Sequence, residues 1–129
     1  MDRKVIEQRL ADYLESYRQE DKQAWLSLFS DNVVFEDPVG KPEIVGIQAM
    51  SDFWDKGHNG MLTLEPTPAK RMIVCGNEAI LVFTMKVRMQ DGSGFNIHPV
   101  DHFVFDESGK VSRLRAFWDE PGVEAVQAG

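Results

Sequence analysis

The chain has 129 residues, enough to close one hydrophobic core without disulfide or metal staples, and its 43% hydrophobic and 27% charged residues are globular proportions. A formal net charge of −7 disfavours phosphate backbones and anionic lipid surfaces, which are held by clustered Lys and Arg. The charged opening "MDRKVIEQRL" is no apolar signal segment, and no window approaches the run of about 20 apolar residues that spans a bilayer. A cytoplasmic protein that binds neither nucleic acid nor membrane is therefore expected, as a single domain over residues 1–129 whose last few residues lack fixed structure. The only cysteine, Cys75, has no internal disulfide partner and reads as a small buried apolar residue.

From Asp2 to about Glu20, Ile6, Leu10, Tyr13, Leu14 and Tyr17 recur at three- and four-residue spacing, which predicts a helix with Tyr13 facing inward. Asp21 has the position of an N-cap for a second short helix through "KQAWLSLF", with Trp25, Leu28 and Phe29 buried. "NVVFED" reads as an extended piece stopped by a turn at Pro38 and Gly40. A third helix is expected from about Ile47 to Lys56, carrying Met50, Phe53 and Trp54 and ended by "GHNG".

The period then changes from helical spacing to alternation. "LTLEP" and "KRMIV" read as short strands, and Ala79, Leu81, Phe83, Met85, Val87 and Met89 alternate as one long strand with a buried face. "QDGSG" is a hairpin turn into "FNIHPVDHFVF", and "DESGK" is another into "VSRLRAFWDE". Helices followed by an antiparallel meander imply an α+β domain whose sheet folds around a cavity.

Asp101 breaks the pattern. Phe95, Ile97, Pro99, Asp101, Phe103 and Phe105 share one strand face, and every other member is apolar. A bulge at Pro99 would return Asp101 to water, and an arginine such as Arg113 or Arg115 would pair it. If instead it faces an apolar cavity, desolvation raises its pKa and it becomes a neutral acid able to donate a hydrogen bond. Asp37, in "FEDPVG", is a second carboxylate at the end of a strand, where it is either a turn former or a rigidly held base. Its neighbour Glu36 points the other way and is expected to be solvated or paired. His98 and His102 share a strand face but lie roughly 13 Å apart, too far to chelate one metal, and His58 belongs to a loop signal.

The run from about Leu10 to Glu120 resembles the bacterial ketosteroid isomerases (steroid Δ5-isomerases) of the NTF2-like, or SnoaL-like, superfamily. The matching pieces are "DYLE" around Tyr13, "LFSDNVVFEDPVG" ending beyond Asp37, "VDHFVFDESGKV" containing Asp101, and "RAFWDE" containing Trp118. The resemblance implies a cone-shaped fold, three N-terminal helices packed on a curved mixed or antiparallel sheet around an apolar pocket, and a homodimer. It also implies that Asp37 is the proton-shuttling base, while Tyr13 and a protonated Asp101 donate to the developing enolate oxygen as 3-oxo-Δ5-steroids become conjugated Δ4 ketones. No metal or organic cofactor is implied. Val39, Trp54, Phe83, Met85, Phe103 and Trp118 are the candidate walls for a flat, apolar, steroid-like ketone. The chain departs from the family in having Phe29 and Trp54 where supporting tyrosines are sought, with the Trp54 indole N–H as a substitute donor to Tyr13. Two other readings stay open: another SnoaL-like enzyme, of polyketide cyclase or epoxide hydrolase type, and a non-catalytic module that binds a hydrophobic ligand.

Overall fold

The computed structural model describes all of residues 1–129. Helix α1 (Arg3–Arg18) is capped by Asp2, whose side chain accepts from the Lys4 amide. It buries the expected stripe of Ile6, Leu10, Tyr13, Leu14 and Tyr17. The short α2 (Lys22–Leu26) starts from Asp21 as its N-cap, and α3 (Ile47–Gly57) buries Met50 and Trp54. Between α2 and α3 lie β1 (Phe29–Glu36) and β2 (Ile44–Val45), and eight further strands follow. These are β3 (Leu62–Pro66), β4 (Arg71–Cys75), β5 (Glu78–Val82), β6 (Met85–Met89), β7 (Gly94–Ile97), β8 (Val100–Phe105), β9 (Val111–Phe117) and β10 (Glu124–Val126).

The sheet is split in two. One part has the order β2-β1-β9-β8-β5-β4 and the other β10-β7-β6-β3. All pairings are antiparallel except β1 with β9, so the fold is α+β with a mixed sheet. Helix α1 packs across β3 and β4, and α3 packs against β1, β2 and α2. The three helices thus close one side of the sheet.

Two expected strands are each interrupted at the same level. The alternating run 79–89 divides into β5 and β6 at Phe83–Thr84, and the run 95–105 divides into β7 and β8 at His98–Pro99. Pro99 has no N–H to donate to a ladder. Thr84 finds partners off the ladder: its amide donates to Thr67 Oγ1 (3.0 Å), and its carbonyl accepts from the Thr67 amide (2.9 Å). Lys70 Nζ donates to the Thr84 hydroxyl, 2.7 Å away. The alternation survives the break, because Leu81, Phe83, Met85 and Val87 all stay buried, as do Pro99, Asp101, Phe103 and Phe105. The ends of the two runs depart from it: Met89 and Phe95 are both exposed.

Two further differences from the sequence reading are local. Cys75 is exposed rather than buried, because it sits at the end of β4 just before the Gly76 turn. Glu124–Val126, beyond the last strand read from the sequence, add β10 to the edge of the second part by pairing with Gly94–Asn96.

The β6–β7 turn depends on glycine at two positions for different reasons. Gly92 has φ +85° with open space around it, whereas a Cβ on Gly94 (φ +153°) would lie 2.0 Å from the Val87 carbonyl oxygen. Gly92→Ala is therefore expected to cost about 1 kcal/mol from backbone conformation alone. Gly94→Ala must also push two backbones apart and should cost more than about 2 kcal/mol. Urea unfolding of the two variants tests the ordering, and equal midpoints would contradict it.

Candidate active site

The bend between the two parts of the sheet encloses a cavity of about 300 Å³. It is lined by Tyr13 and Tyr17 from α1, Asp37 after β1, and Phe53, Trp54, Lys56, Gly57 and His58 at the end of α3. Leu64, Phe83, Met85, Val87, Ile97, Pro99, Asp101 and Ala116 complete the wall from the sheet. A separate concavity on the outside of α1 and α2, lined by Arg9, Asp12, Glu15 and their neighbours, is polar and open.

Of the residues singled out in the sequence, Tyr13, Asp37, Asp101, Trp54, Phe83 and Met85 come together in the cavity. Three of the proposed walls do not. Phe103 is buried beneath Tyr13, ring centroids 5.2 Å apart at 83°, and supports that ring instead of the cavity wall. Val39 and Trp118 lie in a shallow neighbouring concavity with His98 and Phe117, because the chain has already turned outward at the rim. The Val39 amide is tied there to the Ala116 carbonyl at 2.8 Å. Trp118 reaches the site by another route: its indole N–H donates to Asp37 Oδ1 at 2.7 Å.

Asp101 is 2% exposed, opposite Leu81 on one side and Ala116 on the other, and its Oδ1 is buried without a hydrogen-bond partner. Neither of the polar escapes open to it in the sequence is taken. The break at Pro99 leaves the alternation intact, and both candidate arginines are engaged elsewhere. Arg113 Nη2 lies 2.7 Å and Arg115 Nε 3.0 Å from Glu36 Oε1, on the outer side of β9. Glu36 is therefore paired, as its opposite direction from Asp37 suggests. Burial, followed by repulsion from Asp37, holds the Asp101 carboxyl well above the usual aspartate range.

The neighbouring groups are shifted in the same direction. Burial raises Asp37, and the Trp118 N–H partly offsets this by favouring the carboxylate. Tyr13 is pushed well up by burial, then by Tyr17, Asp101 and Asp37. Every one of these ionisations would place negative charge in a buried site where no ion pair offsets it. Burial and the Asp37 charge also raise Tyr17, while the Tyr13 hydroxyl and the Trp25 N–H favour its ionised form. Trp25 Nε1 is buried and has no hydrogen-bond partner while Tyr17 is neutral.

Sequence reasoning missed Tyr17 as a site residue, although its i+4 spacing from Tyr13 on the inward stripe was visible. The rings lie 5.4 Å apart. The second phenol near Tyr13 comes from the same helix, while Trp54 stacks on His58 at 3.8 Å and leans on Tyr17. Val87, Ile97 and Pro99 belonged to alternating rows already identified. Ala116 and Leu64 carried no signal of their own. No group of three or more His, Cys, Asp or Glu side chains converges to hold a metal ion. His98 is spent on Thr84 and Glu124, and His102 on Glu78.

The SnoaL-like domain model matches residues 10–114, most of the chain. The chain belongs to the SnoaL-like family. It is 25% identical over 114 residues to a steroid Δ-isomerase of Nocardioides simplex, covering 88% of this chain and 89% of the relative. Its structure is similar to that of a Δ5-3-ketosteroid isomerase from a Mycobacterium species, with a TM-score of 0.84 and 19% identity over 95% of this chain and 98% of the other. An epoxide hydrolase/cyclase-like enzyme, SalBIII, of pyran ring formation in polyether salinomycin is similar at a TM-score of 0.83 and 22% identity, over 96% and 98% of the two chains. The NTF2-like fold is thus shared by chains of different chemistry.

The raised Asp101 pKa has a consequence for stability. Below about pH 4, the range of an unfolded aspartate, both states carry the proton and the group is neutral to folding. As pH rises, the unfolded chain releases the proton while the native state keeps it, so stability falls until the higher native pKa is passed. Asp101→Asn removes that loss. Its Tm is expected to exceed that of the wild-type protein by several degrees at pH 7, with the gap closing towards pH 3. A gap that is absent, or independent of pH, would show that Asp101 ionises freely in the folded protein.

Proposed function

We propose that this protein catalyses proton transfer next to a ketone, isomerising a 3-oxo-Δ5-steroid or a similar flat β,γ-unsaturated ketone to its conjugated isomer. The observation that carries the reading is Asp101: a carboxyl enclosed by apolar side chains, without a cation, in the same cavity as Tyr13 and Asp37. Asp37 as a carboxylate takes a proton from the carbon between ketone and alkene. The electron pair of that C–H bond moves toward the carbonyl and the oxygen becomes an enolate. Tyr13 O–H and protonated Asp101 donate to that oxygen, which gains charge where both donors are already dry and fixed. Asp37 then returns the proton to the far alkene carbon, two positions away, and the double bond ends in conjugation. No atom or electron is gained or lost, and no cofactor enters.

Two environments separate the roles of the carboxyls. Asp101 is fully enclosed and keeps its proton, while Asp37, at the rim, has one indole N–H to stabilise its charge. Burial still raises the basicity of Asp37, which suits a base that must remove a carbon-bound proton. Tyr17 sits beside Tyr13 as a second phenol, in keeping with the absence of tyrosine at 29 and 54. The similarity to an epoxide hydrolase/cyclase-like enzyme favours a second reading, in which the same pocket opens or closes a polyether ring. That chemistry does not call for two donors converging on one carbonyl oxygen.

Asp37→Asn decides between them. With a Δ5-3-ketosteroid as substrate, the rate at which conjugated-enone absorbance appears should fall by about 10²–10⁴-fold. Binding of a planar phenol that mimics the enolate should survive. A variant that turns over the substrate like wild type would refute the assignment.

A further inference from the structure

The wall at the end of α3 carries polar groups that proton transfer does not use. His58 Nδ1 lies 2.8 Å from the Trp54 carbonyl oxygen. A carbonyl can only accept, so Nδ1 carries the hydrogen and Nε2 of the neutral ring is a bare acceptor. The ring is held in place by stacking on Trp54, 3.8 Å away at 11°, and on Tyr17, 6.1 Å away at 28°. Nε2 is buried and has no hydrogen-bond partner. Lys56 lines the same stretch of the cavity with its side chain exposed, and the adjacent Asp55 is already paired with Lys22 at 2.9 Å.

This stretch lies across the strand break from the two carbonyl donors. Asp101 pairs with Leu81 on the near side, whereas Gly57 packs against Leu64, which pairs with Val87 on the far side. Tyr17 lies between the two, its ring 5.4 Å from that of Tyr13 and 6.1 Å from that of His58.

We infer that Lys56 and His58 read a hydroxyl group on the substrate, at the end of a flat ring system remote from the reacting ketone. The inference rests on the proton-transfer reading above and names its substrate class more closely. A hydroxyl matches both groups: its hydrogen goes to His58 Nε2 and its oxygen accepts from the Lys56 ammonium. A second ketone at that end offers only lone pairs and leaves Nε2 buried and unpaired, which weakens binding.

Estradiol and estrone test this by equilibrium binding. Both present a phenol, as enolate mimic, at one end, and they differ only in a hydroxyl or a ketone at the other. Wild type is expected to bind estradiol roughly tenfold more tightly than estrone. His58→Phe keeps the stacking surface and loses the acceptor, so the ratio should fall to about one while estrone affinity is retained. His58→Gln keeps an acceptor near the Nε2 position and should restore part of the preference, which also decides the matter if the phenylalanine variant does not fold. Equal affinities in wild type, or a ratio that His58→Phe leaves unchanged, would overturn the inference while leaving the proton-transfer reading intact. A stronger preference for estradiol 17-hemisuccinate than for estradiol at low salt would overturn it in favour of an anionic tail. Binding of neither phenol would remove the parent reading as well.

Discussion

A carboxyl group without a cation in an apolar enclosure is the constraint on which the rest of this molecule depends. Burying a charge unpaired costs far more than burying a neutral acid, so burial favours the protonated form of Asp101, the form able to donate a hydrogen bond. That outcome requires the nearby arginines to be engaged elsewhere. Glu36 does this by holding Arg113 and Arg115 on the opposite side of the sheet. The pair Glu36 and Asp37, adjacent in sequence, thus serve opposite faces: one pairs the two arginines of β9 outside the pocket, and the other brings a second carboxylate into it. Repulsion from that second carboxylate reinforces the proton on Asp101.

The fold supplies the enclosure by bending rather than by closing a barrel. A flat meander would expose Asp101 on one face of the sheet. Interrupting two neighbouring strands at Thr84 and Pro99 lets the second part of the sheet turn over the first, and α1 and α3 cover what remains. The Thr84 amide and carbonyl, freed at the break, pair with Thr67, while Lys70 and His98 meet the Thr84 hydroxyl. Rigidity at Tyr13 comes from packing, since Phe103 and Phe29 both meet its ring edge-on.

Much of this was legible in the residue pattern. The inward stripe of α1, the N-cap Asp21, the bounds of α3 and the alternation through Asp101 all follow from local periodicity and capping chemistry. Alternation also located Phe83 and Met85 correctly, because a break that preserves the inward row does not move side chains to the other face. What local pattern could not give is where a strand leaves its sheet. The division at Phe83–Thr84 depends on partners from Thr67 and Lys70, distant in sequence. Phe103 obeyed the same alternation as Asp101 yet lies under Tyr13, since inward-facing does not separate pocket wall from packed core. Trp118 was expected as an apolar wall and is a hydrogen-bond donor to Asp37, a relation set by the rim beyond β9 and not by spacing. His58 was dismissed as part of a loop signal, and only the helix end that seats it on Trp54 shows its free nitrogen.

The most direct test of the central claim is the protonation state of Asp101 itself, read from the carboxyl ¹³C shift of the ligand-free protein as pH is raised from acid through neutrality. The account predicts a carboxyl that remains in its acid form at pH 7, well past the range of about 4 in which an exposed aspartate titrates. A resonance that ionises in that ordinary range would contradict it, because a charged Asp101 repels an enolate oxygen instead of donating to it.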